Sequence, residues 1–311
     1  MCLWTVHAHA WSERGHSIIA QTAAYLAAEE PGADFLKSRS FDLGYYANVP
    51  DKVWKAPATY EVEQYNHFMD MEVFHRALKA DEEKKAFAMD RVTFDSSYPS
   101  IPNQAGRAFW RIREFAEELG KVTSELKNPR LTTEQRHHLQ SRWLILAGTL
   151  GHYVADLAQP LHTTENYDGQ MTGQKGLHAF FEGPLVDELF PGIENDAAKA
   201  AQAGWSAFKK KNASRPLLDL IEELSSDSHA KLSELLKLDK KTDRKDLKKA
   251  ARAQRDFILN RLVTGSLVLA EIWRRDLGWV FDGNRFFKFV PAPEYIRAPA
   301  PPPTPSPRKS T

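Results

Sequence analysis

Apolar residues recur every three to four positions from 12 to 30, with Ile18, Ile19, Thr22, Ala23 and Leu26 on one stripe, and Pro31-Gly32 closes the run. That pattern predicts a first helix. A loop-rich stretch follows to about 105, carrying Tyr45-Tyr46, Asn48-Val49-Pro50-Asp51 and Asn66-His67-Phe68. Helical periodicity resumes from Ala105 to Leu126, and Asn128-Pro129 breaks it. Thr132, with Glu134 and Gln135 behind it, starts the next helix, which runs through Trp143, Leu146, Ala147 and Leu150 to about Leu157 before Pro160 ends it. A glycine-rich loop (Gly169, Gly173, Gly176) leads to a short helix from near Leu177, and residues 196–276 read as helix with interruptions. The charge-rich stretch 237–256 reads as a solvated face.

Neither an internal repeat nor a convincing strand is visible, so the pattern predicts an all-α, single multi-helix domain over 11–290. Beyond it, Pro291 to Thr311 holds eight of the 18 prolines, the composition of a disordered or polyproline-like tail. Apolar residues make up 42% and charged residues 27% of 311, enough to bury a core in water. With 42 Lys and Arg against 41 Asp and Glu, the overall charge points to no polyanionic partner. No apolar run is long enough to span a bilayer.

At the start of the chain, Ala8-His9-Ala10 has the small-residue spacing that a signal peptidase cuts after, which would make Trp11 the new N-terminus. The ten preceding residues are short for a full signal and lack a charged region, so residues 1–10 read as a signal-peptide remnant. Their removal takes away Cys2, the single cysteine. Disulfide and thiolate chemistry then drop out, and any metal must be held by histidines, carboxylates or main-chain atoms.

Five of the 11 histidines stand in telling positions. In Gly151-His152-Tyr153-Val154-Ala155-Asp156-Leu157-Ala158-Gln159-Pro160-Leu161-His162, His152 and Asp156 are four apart and project from one helix face. Pro160 turns the chain so that His162 comes back toward that face. An imidazole and a carboxylate on an otherwise apolar helix are costly to bury unpaired, and a metal offsets that cost. His178 and Glu182 repeat the same spacing sixteen residues after His162. The two pairs with His162 supply ligands for at least two ions. His16 at the start of the first helix, Asp51 after Pro50 and His67 before Phe68 are further candidates, each more often structural when taken alone.

In order, Trp11-x-x-x-Gly15-His16, Pro50-Asp51, His67-Phe68-x-Asp70, Gly151-His152-x-x-x-Asp156-x-x-x-Pro160-x-His162 and His178-x-x-x-Glu182 resemble the phospholipase C/P1 nuclease superfamily. The resemblance runs from 11 to 182 and implies an all-helical domain with a trinuclear zinc cleft. It assigns one zinc to Asp51, His67, His152 and Asp156, and a second to His16, a bridging Asp156, and the α-amino and carbonyl groups of Trp11. The third zinc falls to His162, His178 and Glu182. The amine ligand would exist only after cleavage before Trp11, so the resemblance also implies a secreted or periplasmic protein. The implied activity is hydrolysis of a phosphate ester by metal-activated water without a covalent intermediate, with Asp51 and Asp156 as the catalytic carboxylates.

Substrate marks are mixed. The Gly15-His16 start and the aromatic Phe68 beside His67 resemble the S1/P1 nucleases, in which such a ring helps stack a base. Lys52, in a stretch with lysines where those nucleases usually have an arginine, is the candidate phosphate contact. The final Glu182 and the short loop from His162 to His178 are more like the phospholipases. The expected partner is single-stranded nucleic acid or a nucleotide, with phospholipid as the alternative and a non-catalytic zinc-binding protein as the third reading. A monomer without a stable protein partner is expected. Asp168, in the loop between the two motifs, is expected to matter little.

Overall fold

The computed structural model describes residues 11–31 and 33–277, and these are helical almost throughout. The helices in chain order are α1 (Ser12–Ala27), α2 (Phe35–Ser38), α3 (Ser40–Tyr46), α4 (Tyr60–Glu63), α5 (Met71–Ala77), α6 (Ala80–Ala88) and α7 (Arg91–Ser97). They continue with α8 (Ala108–Leu126), α9 (Thr133–Ala158), α10 (Leu177–Glu182), α11 (Pro184–Leu189), α12 (Ile193–Asn212), α13 (Leu217–Lys240) and α14 (Leu247–Leu277). Among the described residues the β-structure amounts to an isolated bridge between Met69 and Gly106. None of the described helices is long and apolar enough to cross a membrane. The expected leader segment 1–10 and the proline-rich tail lie outside the described residues.

One apolar core serves all the long helices. α8 lies along α9, and α1 is enclosed by α3, α12 and α14. α9 begins as expected at Thr132, whose hydroxyl accepts from the Gln135 amide while the Gln135 side chain accepts from the Thr132 amide, so two otherwise unpaired donors are satisfied reciprocally. Gly148 lets α3 come close to α9: a Cβ there would lie 2.5 Å from Tyr46 Cβ and 2.9 Å from the Leu43 carbonyl. This approach brings Ala47 over the C-terminal half of α9, where its carbonyl meets His152.

The stretch expected to be loop-rich is instead folded into short helices, α2 to α7. None is long enough to show an apolar period. Local caps start some of them: Asp90 accepts from the Thr93 amide, and Glu82 from the Lys79 amide. Burial anchors them, with Phe74, Phe87, Phe94 and Trp110 forming an aromatic cluster with centroids 4.1 to 6.1 Å apart. Two helix limits also shift. α1 stops at Ala27 rather than 30, and α8 starts at Ala108 because Asn103–Ala105 is a 3₁₀ turn followed by Gly106 at φ 88°. The helical region after 193 is broken before Pro216 and between Lys240 and Leu247.

Candidate metal centre

Nearly every ligand candidate is buried, and three groups of them converge. His16, His152 and Asp156 form one, Asp51, His67 and His152 a second, and His162, His178 and Glu182 a third, with one ligand atom per residue lying within 4.8 Å of the others in its group. His152 and Asp156 sit four apart on α9 and face the same way, as their spacing requires.

Asp156 stands between the first two groups. Its Oδ1 lies 3.5 Å from His16 Nε2, while its Oδ2 lies 3.0 Å from His67 Nδ1 and 3.2 Å from His152 Nε2. Asp51 comes from a single π-turn, Pro50–Trp54, and its Oδ1 is 3.6 Å from His67 Nδ1 and 3.7 Å from His152 Nε2. His67 hangs from an irregular segment stapled by main-chain bonds: Arg107 N to Tyr65 O, Ala108 N to Phe68 O, Asp70 N to Ala105 O and Met69 N to His162 O.

The hydrogen bonds decide which ring nitrogens are bare. A carbonyl can only accept, so His152 Nδ1, 2.7 Å from Ala47 O, carries a proton, as do His162 Nδ1 at 2.5 Å from His67 O and His178 Nδ1 at 3.1 Å from Tyr167 O. In each neutral ring Nε2 is then a lone pair. These lone pairs point at one another or at carboxylates: His162 and His178 Nε2 are 3.1 Å apart, and Glu182 Oε1 is 3.2 and 2.9 Å from them. Such an arrangement needs a positive charge in its middle, either a proton or a metal ion.

Electrostatics at the site follow from that geometry. Burial presses the His162 pKa down, but Asp156 and then Glu182 carry it up to about 9. Burial would raise the Glu182 carboxyl, yet His178 and His162 hold it down at about 2. Asp156 is likewise held well below the ordinary carboxylate range against its burial, by His152 first and then His162. His16 behaves oppositely: burial, then the neighbouring His152, drives it down to about 3. Its ring stacks on His152 at 4.1 Å, and neither nitrogen has a hydrogen-bond partner. Asp156 Oδ1 and Glu182 Oε2 are also unpartnered. Unpaired buried groups of this kind cost about 1–3 kcal/mol each. Orphaned buried nitrogens and oxygens, in an all-nitrogen and oxygen donor set, fit groups that could each hold a metal ion.

Trp11 is fully buried beside this centre in a left-handed conformation at φ 51°. Its indole Nε1–H donates to Ala155 O at 2.8 Å, next to Asp156, and its ring lies 5.5 Å from Phe181, next to Glu182. The two substrate candidates fall differently. Phe68 is half-buried, 6.4 Å from the Tyr65 ring. Lys52 is exposed and ion-paired with Glu13 on α1, whereas Lys55, one turn later, reaches inward with Nζ 2.6 Å from Asp51 Oδ1.

Several supporting residues lie outside the sequence motif. Glu63 faces His67 Nε2 at 3.5 Å and is itself held by the Tyr153 hydroxyl, Asn66 Nδ2 at 3.0 Å and Arg111 at 3.3 Å. Burial would raise its carboxyl, but His67, Tyr153 and Arg111 pull it to about 2. Glu63 stands four before His67, the same spacing as the other His-carboxylate pairs, and that signal could have found it. Gln159 donates to Glu182 Oε1 at 2.5 Å. Asp168, expected to be idle, instead accepts from the Gly176 and His178 amides at 2.9 and 3.2 Å and so holds the start of α10.

No protein-family profile, curated protein or solved structure matches the chain. The chain is an all-helical protein with three buried His/Asp/Glu groups that could each hold a metal ion.

Proposed function

We propose that this chain is a zinc-dependent phosphodiester hydrolase of the S1/P1 nuclease kind, acting on single-stranded nucleic acid or nucleotides. The observation that carries the reading is Asp156, with one oxygen turned to His16 and the other to His67 and His152, while the His162–His178–Glu182 group lies alongside. One carboxylate between two nitrogen groups would suit a ligand shared by two ions, and the third group would suit an additional ion.

In this reading Asp51, His67, His152 and Asp156 would hold one ion, His16 and Asp156 a second with the main chain of Trp11, and His162, His178 and Glu182 a third. Zinc bound there supplies Lewis acidity toward water and toward a phosphoryl oxygen. The chain's own residues do the positioning. Carbonyls of Ala47, His67 and Tyr167 fix the His152, His162 and His178 rings in the tautomer that presents Nε2. Glu63 faces the Nε2 side of His67 as an ion-pair partner at 3.5 Å, without a hydrogen bond of that kind. In this reading Asp51 would orient an attacking water, and the Lys55 ammonium, 2.6 Å from its Oδ1, would supply a cation beside it. Cleavage after Ala10 would free the Trp11 amine as a ligand, and export from the cytoplasm belongs to the same proposal.

The test offers purified protein single-stranded DNA, RNA, a 3′-nucleotide and phosphatidylcholine side by side, with metal analysis of the same sample. About three zinc ions per chain and chelator-sensitive hydrolysis of the nucleic acids are expected. Turnover of phosphatidylcholine alone moves the reading to a phospholipase C. One ion or none removes the mechanism.

A further inference from the structure

The near-neutral total charge conceals a strong polarity. Residues 237–256 contain nine Lys and Arg against four Asp, leaving 33 basic against 37 acidic residues in the rest of the chain. Within this corner, formed by the end of α13, the turn and the start of α14, two arginines are already engaged: Arg244 with Asp239, and Arg255 with Asp196. The other seven are Lys237, Lys240, Lys241, Lys245, Lys248, Lys249 and Arg252. All are exposed, and among the described residues none makes an ion pair with a carboxylate. Seven cations without an ion-pair partner outnumber the three remaining Asp of this stretch, an excess of positive charge that a polyanion neutralises.

This corner is fastened to the metal centre. Buried Asp239 accepts from Gln174 Nε2 at 2.7 Å, and Arg244 donates to the carbonyls of Gln174 and Lys175 at 2.7 and 2.9 Å. The Arg244 guanidinium also lies 5.6 Å from the Phe180 ring, between His178 and Glu182 on α10. Tyr167, exposed in the same loop, has its ring 6.3 Å from that of His178. An exposed aromatic beside the ligands thus lies in the same loop to which Arg244 fastens the lysine-rich corner.

We propose that the α13–α14 corner docks the sugar–phosphate backbone of a single strand leaving the metal cleft, so that the substrate is a polymer. The inference rests on the nuclease reading above. Lysines make point-charge contacts with phosphates without reading sequence, and an exposed aromatic takes any base. An anionic membrane is the weaker match, because none of the exposed large hydrophobic residues lies in 237–256 and an interfacial helix needs an apolar face.

The experiment measures fluorescence anisotropy of a labelled oligothymidylate of about 30 nucleotides against the full chain across a salt series. Phosphorothioate linkages keep the charge while slowing hydrolysis. Lys240, Lys241, Lys245, Lys248 and Lys249 are changed together to Gln, with a second variant changing all five to Arg. For the Gln variant the slope of log affinity against log salt should shrink by up to about 3.5, at roughly 0.7 for each of five phosphate contacts. The Arg variant should retain wild-type binding, and both should hydrolyse a dinucleotide at the wild-type rate. Unchanged oligonucleotide binding in the Gln variant overturns the proposal. So does lysine-dependent binding to phosphatidylserine vesicles without binding to the oligonucleotide. Lysine-dependent binding of an oligonucleotide that is never cleaved would uphold the docking surface and remove the nuclease reading.

Discussion

The ligand groups are assembled in two different ways. His162, His178 and Glu182 come from 21 consecutive residues, ordered by a 3₁₀ turn, a loop and one short helix. His16, Asp51, His67, His152 and Asp156 come from four separate segments spread over 141 residues. The local group therefore depends on caps and turns, and the dispersed one on packing of α1, α3 and α9 and on the stapled segment around His67. Damage to tertiary packing should strike the dispersed group, and damage to a single loop the local one.

Exchange of one carboxylate in each group should separate them most widely. Asp156→Asn removes the charge shared by both dispersed groups, so two ions should be lost and hydrolysis should fall to background. Glu182→Gln should cost one ion and leave the dispersed pair bound. At free zinc a hundredfold above Kd each lost site lowers stability by about 2.7 kcal/mol, so Asp156→Asn should destabilise about twice as much. Metal analysis with thermal melts of the same samples decides it. Equal metal loss from the two variants would break the comparison.

A smaller effect is expected from Glu63→Gln, which leaves every direct ligand in place. Loss of such a supporting partner typically costs about 10–100-fold in metal affinity, and here it should fall on the dispersed group alone. Its pH signature has a definite sign. The folded-state pKa of about 2 lies below the ordinary 4.5, so Glu63 contributes stability above pH 4.5 that is lost as pH falls through 2. The stability gap between wild type and variant should therefore narrow on acidification across that window. A gap that stays constant in urea titrations from neutral to acid pH would show that the carboxylate charge is not what holds His67.

The smallest effect belongs to Asp168→Asn. An amide can still accept from one of the two α10 amides, so roughly 0.5–1 kcal/mol of local stability should go, and with it part of the affinity of the local group only. Zinc competition with a chromophoric chelator would measure it. Weakening of the dispersed group instead would mean that the two assemblies are not independent.

Much of this was visible in the linear pattern because helix geometry links spacing to direction. His152 with Asp156, and His178 with Glu182, are one turn apart, and Thr132 with Gln135 marks a helix start. The short helices between 35 and 97 were not visible, since their stability comes from Phe74, Phe94 and Trp110 meeting in the core rather than from local period. Glu63 is reached by Arg111 across 48 residues and by the Tyr153 hydroxyl across 90, separations no spacing rule covers. Of the two lysines after Asp51, the π-turn sends Lys55 inward, and residue type could not choose between them. The basic corner at 237–256 reads as an ordinary solvated face in the sequence, because its meaning lies in which lysines are left without an ion-pair partner and in what Arg244 touches.

The backbone staple beneath His67 also bears on how this protein can vary. Bonds from residues 105, 107 and 108 to 65, 68 and 70 are made by amides and carbonyls, which most side chains leave intact. Gly106 is the exception: a Cβ there would sit 2.0 Å from the Phe68 carbonyl oxygen, at a positive φ that already disfavours any other residue. In a saturation library selected for soluble, metal-loaded protein, 106 should return glycine alone, because there the constraint lies in the main chain itself and no side chain can be accommodated. A ligand position fixed in this way is held by backbone geometry, not by the chemistry of the residues beside it.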